Sequence, residues 1–289
     1  MKSSFICSLI SLLVYAAPTS AAPLGTRTVL DNGATLLVAE RPGIPMVVMN
    51  LVFRTGAAAD PDGKAGLANL TASLLTRGSK QHTTQSLAEA LDFLGASLKV
   101  DADYEITTIS LTTLTKNLEP AFALVAEVVL SPTFPPAELE RTRKEIEGGL
   151  QSREEDPGWV AQKAFLAKLY PRQPYGRLVE GQPATLATLT RDDVSKFHRT
   201  YYRPNNTIIA LAGEISQEQA ADLLRRHFAG WQPADVPGLA WPDSRQPPAE
   251  QVTLDKQVSQ ANVILGHVGI ARSNPDFYAV QLIDRKSVV

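Results

Sequence analysis

The stretch "MVVMNLVFRTGAAADPDGKAGLANLTASLLTRGS", residues 46–79, decides the fold that the sequence predicts. Its first part, 46–57, is a nearly continuous apolar run, which is typical of a strand in the buried middle of a sheet. Its last part predicts a short helix, because leucines recur at helical spacing between Gly66 and Gly78. The polar residues inside that helix are only asparagine, serine and threonine, so the helix offers little chemistry.

Outward from this stretch, strands and helices alternate without the regular period of a doubly wound sheet. Predicted strands form a hairpin at 27–42 around a turn at Asp31-Asn32-Gly33 and a pair at 97–103 and 105–114, and a further strand is predicted at 206–213. The predicted helices are one capped by Thr84 and ending at Gly95, then 117–130, 135–157, 158–170, 190–202 and 216–231. The fold class predicted is therefore α+β, a layered mixed sheet with helices mainly on one face.

The composition is that of an ordinary globular protein, and the N-terminus predicts export. The chain has 289 residues, of which 44% are hydrophobic, and a formal charge of −2, so no basic footprint indicates nucleic-acid binding. Residues 1–22 predict a secretory signal peptide, with Lys2, an apolar run and a small-residue exit; the alternative is a buried N-terminal helix. The single cysteine, Cys7, lies in that segment, and export without disulfides favours a periplasmic protein. No later apolar run is long enough to span a membrane.

The remainder divides into two unequal parts. Residues 26–232 are predicted to form an N-terminal domain with sub-segments 26–180 and 187–232, followed by a Pro-rich linker at 233–248. Residues 249–289 contain two predicted strands, at 250–256 and 260–268, and the start of a helix. We interpret them as the start of a second, homologous domain that is truncated, with 284–289 as a non-native tail; a natural short tail is the alternative.

This succession closely resembles the pitrilysin/insulinase-like zinc peptidases over nearly all of 26–283. The matching text includes "LDNGATLLVAERPGIP" joined to the stretch quoted above, "YGRLVEGQPATLATLTRDDVSKFHRTYYRPNNTIIALAGEIS" and "SQANVILGHVGIARSNPDFYAVQLI". The resemblance implies the metalloenzyme fold of the processing peptidases, which belong to this family. Its active members carry an inverted His-x-x-Glu-His motif on the helix that follows "GLA". The two histidines hold zinc with a glutamate from a later helix, and the glutamate of the motif activates water.

At the corresponding positions this chain has lost every one of those groups. The motif positions hold Asn69 and Ser73 in place of the histidines and Ala72 in place of the base. Placing "EEDP" on the family's exit from the later helix puts the third ligand position at Gly149. The resemblance therefore implies a degenerate member with no catalytic residue, no metal ligand and no zinc of its own, and it identifies no substrate-binding residue here.

No replacement site is indicated by sequence spacing. The four histidines include no pair three or four residues apart, and no serine lies in a Gly-x-Ser-x-Gly elbow. His198 and His227 lie on predicted helices beside charged residues and are expected at the surface. The two consecutive glycines at 148–149 predict a kink or a helix end. The alternative is that the absence of side chains there opens the former zinc site to peptide.

The resemblance implies a non-catalytic subunit of an exported zinc metalloendopeptidase. Such a subunit helps to enclose peptide substrate for a catalytic subunit of the same family, which is the partner expected to carry the zinc, in a heterodimer. The alternative is a peptide-binding or assembly protein of the same fold without peptidase activity. An active peptidase that uses a different site is a third hypothesis.

Overall fold

A computed structural model describes residues 25–239, 241, 245–257 and 260–285 of the chain. The predicted signal peptide at 1–22 lies outside the described residues, as do 286–289 and part of the Pro-rich linker. Within the described ranges, no helix combines the length and the hydropathy needed to cross a membrane.

Six strands form one mixed sheet, which confirms the predicted fold class. They are β1 (Thr26–Val29), β2 (Thr35–Glu40), β3 (Met46–Phe53), β4 (Ser97–Ala102), β5 (Thr107–Leu114) and β6 (Thr207–Gly213). Their order in the sheet is β1-β2-β6-β3-β5-β4. Strand β6 pairs in parallel with β2 and antiparallel with β3. The sub-segment predicted at 187–232 thus supplies a central strand, and one sheet contains strands from both predicted sub-segments.

Nine helices are described. They are α1 (Leu67–Leu74), α2 (Thr84–Leu94), α3 (Leu118–Leu130), α4 (Pro136–Arg153), α5 (Pro157–Leu169), α6 (Pro183–Leu186), α7 (Arg191–Tyr201), α8 (Gln217–His227) and α9 (Phe277–Arg285). The cap of α2 is Thr83 rather than the predicted Thr84, since the Thr83 hydroxyl accepts from the Ser86 N–H at 3.2 Å. The helix end predicted at 148–149 is wrong, because α4 continues to Arg153.

The core lies between the sheet and the helices on one of its faces. Along the central strands alternate residues are fully buried, among them Met49, Leu51, Ile109 and Leu111. Helix α3 packs against β5, α8 against β2 and α1 against β4. The residues between the buried ones in β3 remain partly exposed. This is the helices-on-one-face arrangement that the alternation predicted.

The strands predicted at 250–256 and 260–268 are wrong for the residues that the structure describes there, which have no regular secondary structure. A strand needs a neighbour whose backbone N–H and C=O groups complete its ladder, and no described strand lies beside these residues. Val263 and Leu265 are consequently 86% and 95% exposed. The helix start predicted after them is present as α9.

Candidate functional site

Helix α1, which holds three of the four degenerate positions, begins beside a buried carboxyl group. Asp60 is 7% exposed, and its two oxygens accept hydrogen bonds from the backbone N–H groups of Gly66 and Ala68 at 2.8 Å each. Burial raises the pKa of Asp60 from 3.8 to about 7, and these hydrogen bonds and Arg177 only partly offset that effect. Since the first N–H groups of a helix have no partner within it, Asp60 fixes where α1 starts.

A second backbone segment crosses the start of α1 at close range. Gly66 has a φ of 97°, and a β-carbon built on it would lie 2.6 Å from the carbonyl oxygen of Glu180. Gly181 has a φ of 78°, and its β-carbon would lie 2.3 Å from the carbonyl oxygen of Ala65. Both positions therefore require glycine. The segment 178–181 is thereby held over the N-terminal end of α1.

The four degenerate positions lie on α1 and α4, which pack against each other. Asn69 and Ser73 are half-buried, whereas Ala72 is only 1% exposed. Gly149 is exposed in the last turns of α4, where an added β-carbon would meet no atom within 4 Å. The two helices on which the resemblance places a zinc site are thus present and in contact.

The residues at these positions do not fit a zinc ion. Asparagine and serine are poor zinc ligands, and alanine and glycine offer no donor atom. Across the described part of the chain, no group of three or more His, Cys, Asp or Glu side chains could hold a metal ion. The four positions lack the donor set that zinc requires, so no metal-dependent step is assigned to them.

A cavity of about 310 Å³ lies beside Asn69, the only one of the four degenerate positions that lines it. Its wall is formed by the end of β4, by α5 and by the segment over α1, and most of it is apolar. The apolar and aromatic lining residues are Ala102, Tyr104, Trp159, Leu166, Leu178 and Val179, and the charged ones are Arg153, Lys163 and Glu180. This size and mixture are typical of a small-ligand or side-chain pocket.

Trp159 in this wall is held by two cations. The guanidinium carbon of Arg153 lies 5.2 Å from the ring centroid, and the Lys163 ammonium nitrogen lies 4.7 Å from it. Arg153 also pairs with Glu180 at 2.8 Å, and Lys163 pairs with Glu154. A partly exposed cation–π contact contributes about 0.5–1 kcal/mol, so the two together hold the indole ring in place.

Tyr104 forms the part of the wall nearest the β4–β5 turn. Its hydroxyl donates to the carbonyl oxygen of Arg177 at 2.9 Å, and its ring centroid lies 5.0 Å from that of Tyr175. Burial raises the pKa of Tyr104, and the charges of Glu180 and Asp103 raise it further, so the phenol remains a donor at neutral pH. Sequence spacing gives no signal for Tyr104, Trp159 or Asp60, because three distant segments bring them here.

Strand β4 lies at one edge of the sheet, and its last residue lines this cavity. It pairs only with β5 in the described sheet, so the N–H and C=O groups of its other side have no strand partner there. Such an edge can accept an extended peptide as a further strand. A peptide paired with β4 would pass Ala102 and present a side chain to the cavity.

The predicted surface position of His198 is wrong. Its ring centroid lies 4.8 Å from that of Tyr202, and its Nε2–H donates to the carbonyl oxygen of Val129 at 2.9 Å. Burial lowers the pKa of His198 to about 4, so the ring is neutral at pH 7. Charged neighbours in α7 hid this packing from the sequence pattern. His227 is half-buried, with its ring centroid 5.8 Å from that of Phe122.

Two family models match the chain. The model described as "Insulinase (Peptidase family M16)" matches residues 35–182, and "Peptidase M16 inactive domain" matches 188–285. A relative named "Uncharacterized zinc protease" from Rickettsia bellii is 24% identical over 259 residues, covering 88% of this chain and 61% of its own length. "Probable mitochondrial-processing peptidase subunit beta" of Schizosaccharomyces pombe is 25% identical over 273 residues, covering 92% and 59%. The chain thus spans about three-fifths of these relatives.

Solved structures show the same fold. The peptidase M16 inactive domain from Pseudomonas fluorescens superposes with a TM-score of 0.78 at 25% identity, covering 89% of this chain and 63% of that one. The periplasmic protease PqqL from Escherichia coli superposes with a TM-score of 0.71 at 21% identity, covering 78% and 26%. At these identities the second likeness carries only the fold.

Proposed function

This chain belongs to the insulinase family, peptidase family M16, and on that premise we propose that it is an exported non-catalytic subunit that binds peptide for a zinc-bearing partner chain. One observation carries the proposal. Helices α1 and α4 pack together beside a lined cavity, yet Asn69, Ala72, Ser73 and Gly149 supply neither ligands nor a base. A framework kept without its chemistry favours a role in holding substrate rather than cutting it.

The peptide-binding surface in this proposal is the open edge of β4 together with the cavity beside Asn69. Main-chain hydrogen bonds to β4 would hold an extended peptide of any sequence, and the apolar cavity would select one of its side chains. Trp159 and Tyr104 present the aromatic area that dominates such contacts. Removal of the Trp159 ring should therefore weaken peptide binding without loss of the fold.

Two features support the partner and the location. The Schizosaccharomyces pombe relative is named a subunit, which supports a partner chain. The predicted signal peptide at 1–22 agrees with export. The catalytic partner in this proposal is a family member with an intact His-x-x-Glu-His motif, and that chain holds the zinc.

The first experiment measures zinc and peptidase activity for the purified protein alone, for the zinc-bearing family member of the same organism alone, and for the two mixed. We expect neither zinc nor cleavage from this chain alone, co-elution of the pair, and faster cleavage of an unstructured peptide by the mixture. The Trp159→Ala variant should reduce that stimulation, whereas Phe93→Ala serves as a control because Phe93 is an exposed aromatic residue that lines neither this cavity nor any other described one. One tightly held zinc per isolated chain would refute the proposal.

A gain-of-function variant tests the framework directly. We expect the fourfold change Asn69→His, Ala72→Glu, Ser73→His and Gly149→Glu to bind zinc more tightly than the parent. The apo variant should be less stable by about 2 kcal/mol or more, because position 72 is buried and an unpaired carboxylate there is costly. Zinc should restore its thermal stability. An unchanged zinc affinity would show that the position assigned to Gly149 or the helix geometry is wrong.

The second candidate function is peptide binding without a catalytic partner. The cavity and the open β4 edge favour it as well, since neither requires a second chain. The two functions differ in one result. The second function is indicated if the chain binds an unstructured peptide through Trp159 but does not co-elute with the zinc-bearing relative and does not change the rate at which that relative cleaves peptide.

A further inference from the structure

A second cavity, of about 470 Å³, lies under the linker and shares no lining residue with the cavity beside Asn69. One wall follows the end of β3 and the turn after α7, with Arg54, Asn205 and Asn206. The other wall is the linker itself, residues 234–239 and Trp241. Its size lies within the range of small-ligand pockets.

The linker wall is anchored along its course. The Asn205 side chain donates to the carbonyl oxygen of Ala234 at 2.8 Å and accepts from the Ala234 N–H at 3.3 Å. At the start of the linker the buried Trp231 donates its indole N–H to a backbone carbonyl just after α7, at 3.0 Å. Further along, the Trp241 ring stacks on Tyr175, with centroids 5.5 Å apart and planes 13° apart. The described linker residues that line the cavity are therefore tied to the domain at Ala234 and at Trp241.

Two opposite charges line this cavity without neutralising each other. Arg54 and Asp235 both belong to the lining, yet neither side chain makes a hydrogen bond or ion pair with any described residue. The lining also includes Val236, Leu239 and Trp241, although its exposed surface is mainly polar. Arg54 and Asp235 are exposed, and a ligand that replaces their hydration would carry an anionic group, such as a carboxylate, and a cationic group, such as an ammonium.

We propose that this cavity binds a short peptide with free termini. The α-carboxylate would take the planar fork of Arg54, which matches a carboxylate with two parallel hydrogen bonds. The α-ammonium would pair with Asp235, and an aliphatic side chain would lie against Leu239 and the Trp241 ring. Because both charges are partly open to solvent, each contact should change affinity by about tenfold rather than a thousandfold.

The test measures binding of the dipeptide Ala-Leu to the full chain by isothermal titration calorimetry and by tryptophan fluorescence. We expect saturable one-to-one binding, weakened about tenfold for N-acetyl-Ala-Leu and for Ala-Leu-amide, each of which lacks one charge. Absence of saturable binding, or equal binding of the free and blocked dipeptides, would overturn the proposal. This result needs only the wild-type chain.

Two substitutions assign the charges to residues. Arg54→Gln should weaken Ala-Leu and remove the preference for the free acid over the amide. Asp235→Asn should remove the preference for the free amine over the acetylated form. Asp62→Asn is the matched control, an exposed aspartate outside both cavities, and should change neither preference. Folded variants that keep both preferences would overturn the assignment and with it the proposed site.

Discussion

Replacement of Asp60 by asparagine should change how the stability of the protein depends on pH. Folding raises the pKa of Asp60 from 3.8 to about 7, because the carboxyl is buried beneath the start of α1. Between those pH values the folded chain holds a proton that the unfolded chain has released. The free energy of unfolding contributed by Asp60 is therefore fully present below pH 3.8 and falls as the pH rises towards 7.

The magnitude follows from the width of that interval. The slope is about 1.4 kcal/mol per pH unit between the two pKa values and fades as the pH passes 7, so the loss between pH 5 and pH 8 is about 2–3 kcal/mol. Asp60→Asn cannot titrate, so the difference in unfolding free energy between wild type and variant should shrink by that amount from pH 5 to pH 8. Asparagine also replaces one of two acceptor oxygens, which costs about 1–3 kcal/mol at every pH.

Urea unfolding at a series of pH values provides the measurement. Asp62→Asn is the matched control, because Asp62 is exposed two residues away, and its curve should run parallel to that of the wild type. A difference between wild type and Asp60→Asn that stays constant from pH 5 to pH 8 would refute the assignment of the raised pKa to Asp60.

Two further substitutions test contacts on either side of α1, at the turn after it and at the residue just before it. Glu127→Gln should cost about 1–3 kcal/mol at neutral pH, because the carboxylate accepts from Ser79, from the Gln81 N–H and from His82. Burial alone would raise the pKa of Glu127, but the hydrogen bonds outweigh burial and lower it below 4.5. The stability that Glu127 contributes should therefore fade as the pH drops below 4.5, and acid unfolding curves measure this loss. Gly66→Ala should cost more than Gly43→Ala in thermal unfolding: both have left-handed φ angles, of 97° and 93°, but only the first places a β-carbon against backbone. Equal costs would remove the close-approach argument.

The fold could be predicted from sequence wherever the pattern is local. The helical spacing of leucines delimited α1, and the turn around Gly33 delimited the first hairpin, which the β1–β2 pairing confirms. The position of β6 between β2 and β3 could not be predicted, because an apolar run does not say which strands will flank it. The strands predicted at 250–256 and 260–268 are wrong for a related reason: an alternating pattern does not guarantee a neighbouring strand with which to pair.

Only part of the candidate site could be predicted from the sequence. The resemblance located the degenerate positions on two helices, and α1 and α4 do pack together. It could not find Asp60, whose role depends on burial and on N–H groups six and eight residues further along. Nor could it find the cavity, because Tyr104, Trp159 and Glu180 come from separate elements that only the fold brings together. Burial and convergence are properties of the folded chain.

The packing of α1 depends little on the side chains at positions 69 and 73, where the resemblance places two zinc ligands. Leu67, Leu70 and Leu74 are 3% exposed or less, and full burial of each leucine contributes about 1.5–3 kcal/mol. Asn69 and Ser73 are half-buried and contribute little to that packing. Substitution of the ligand positions therefore removes chemistry at small cost in stability, while substitution of the leucines would unfold the helix. The apolar face of α1 therefore specifies its packing, and the polar side chains at 69 and 73 can vary without changing it.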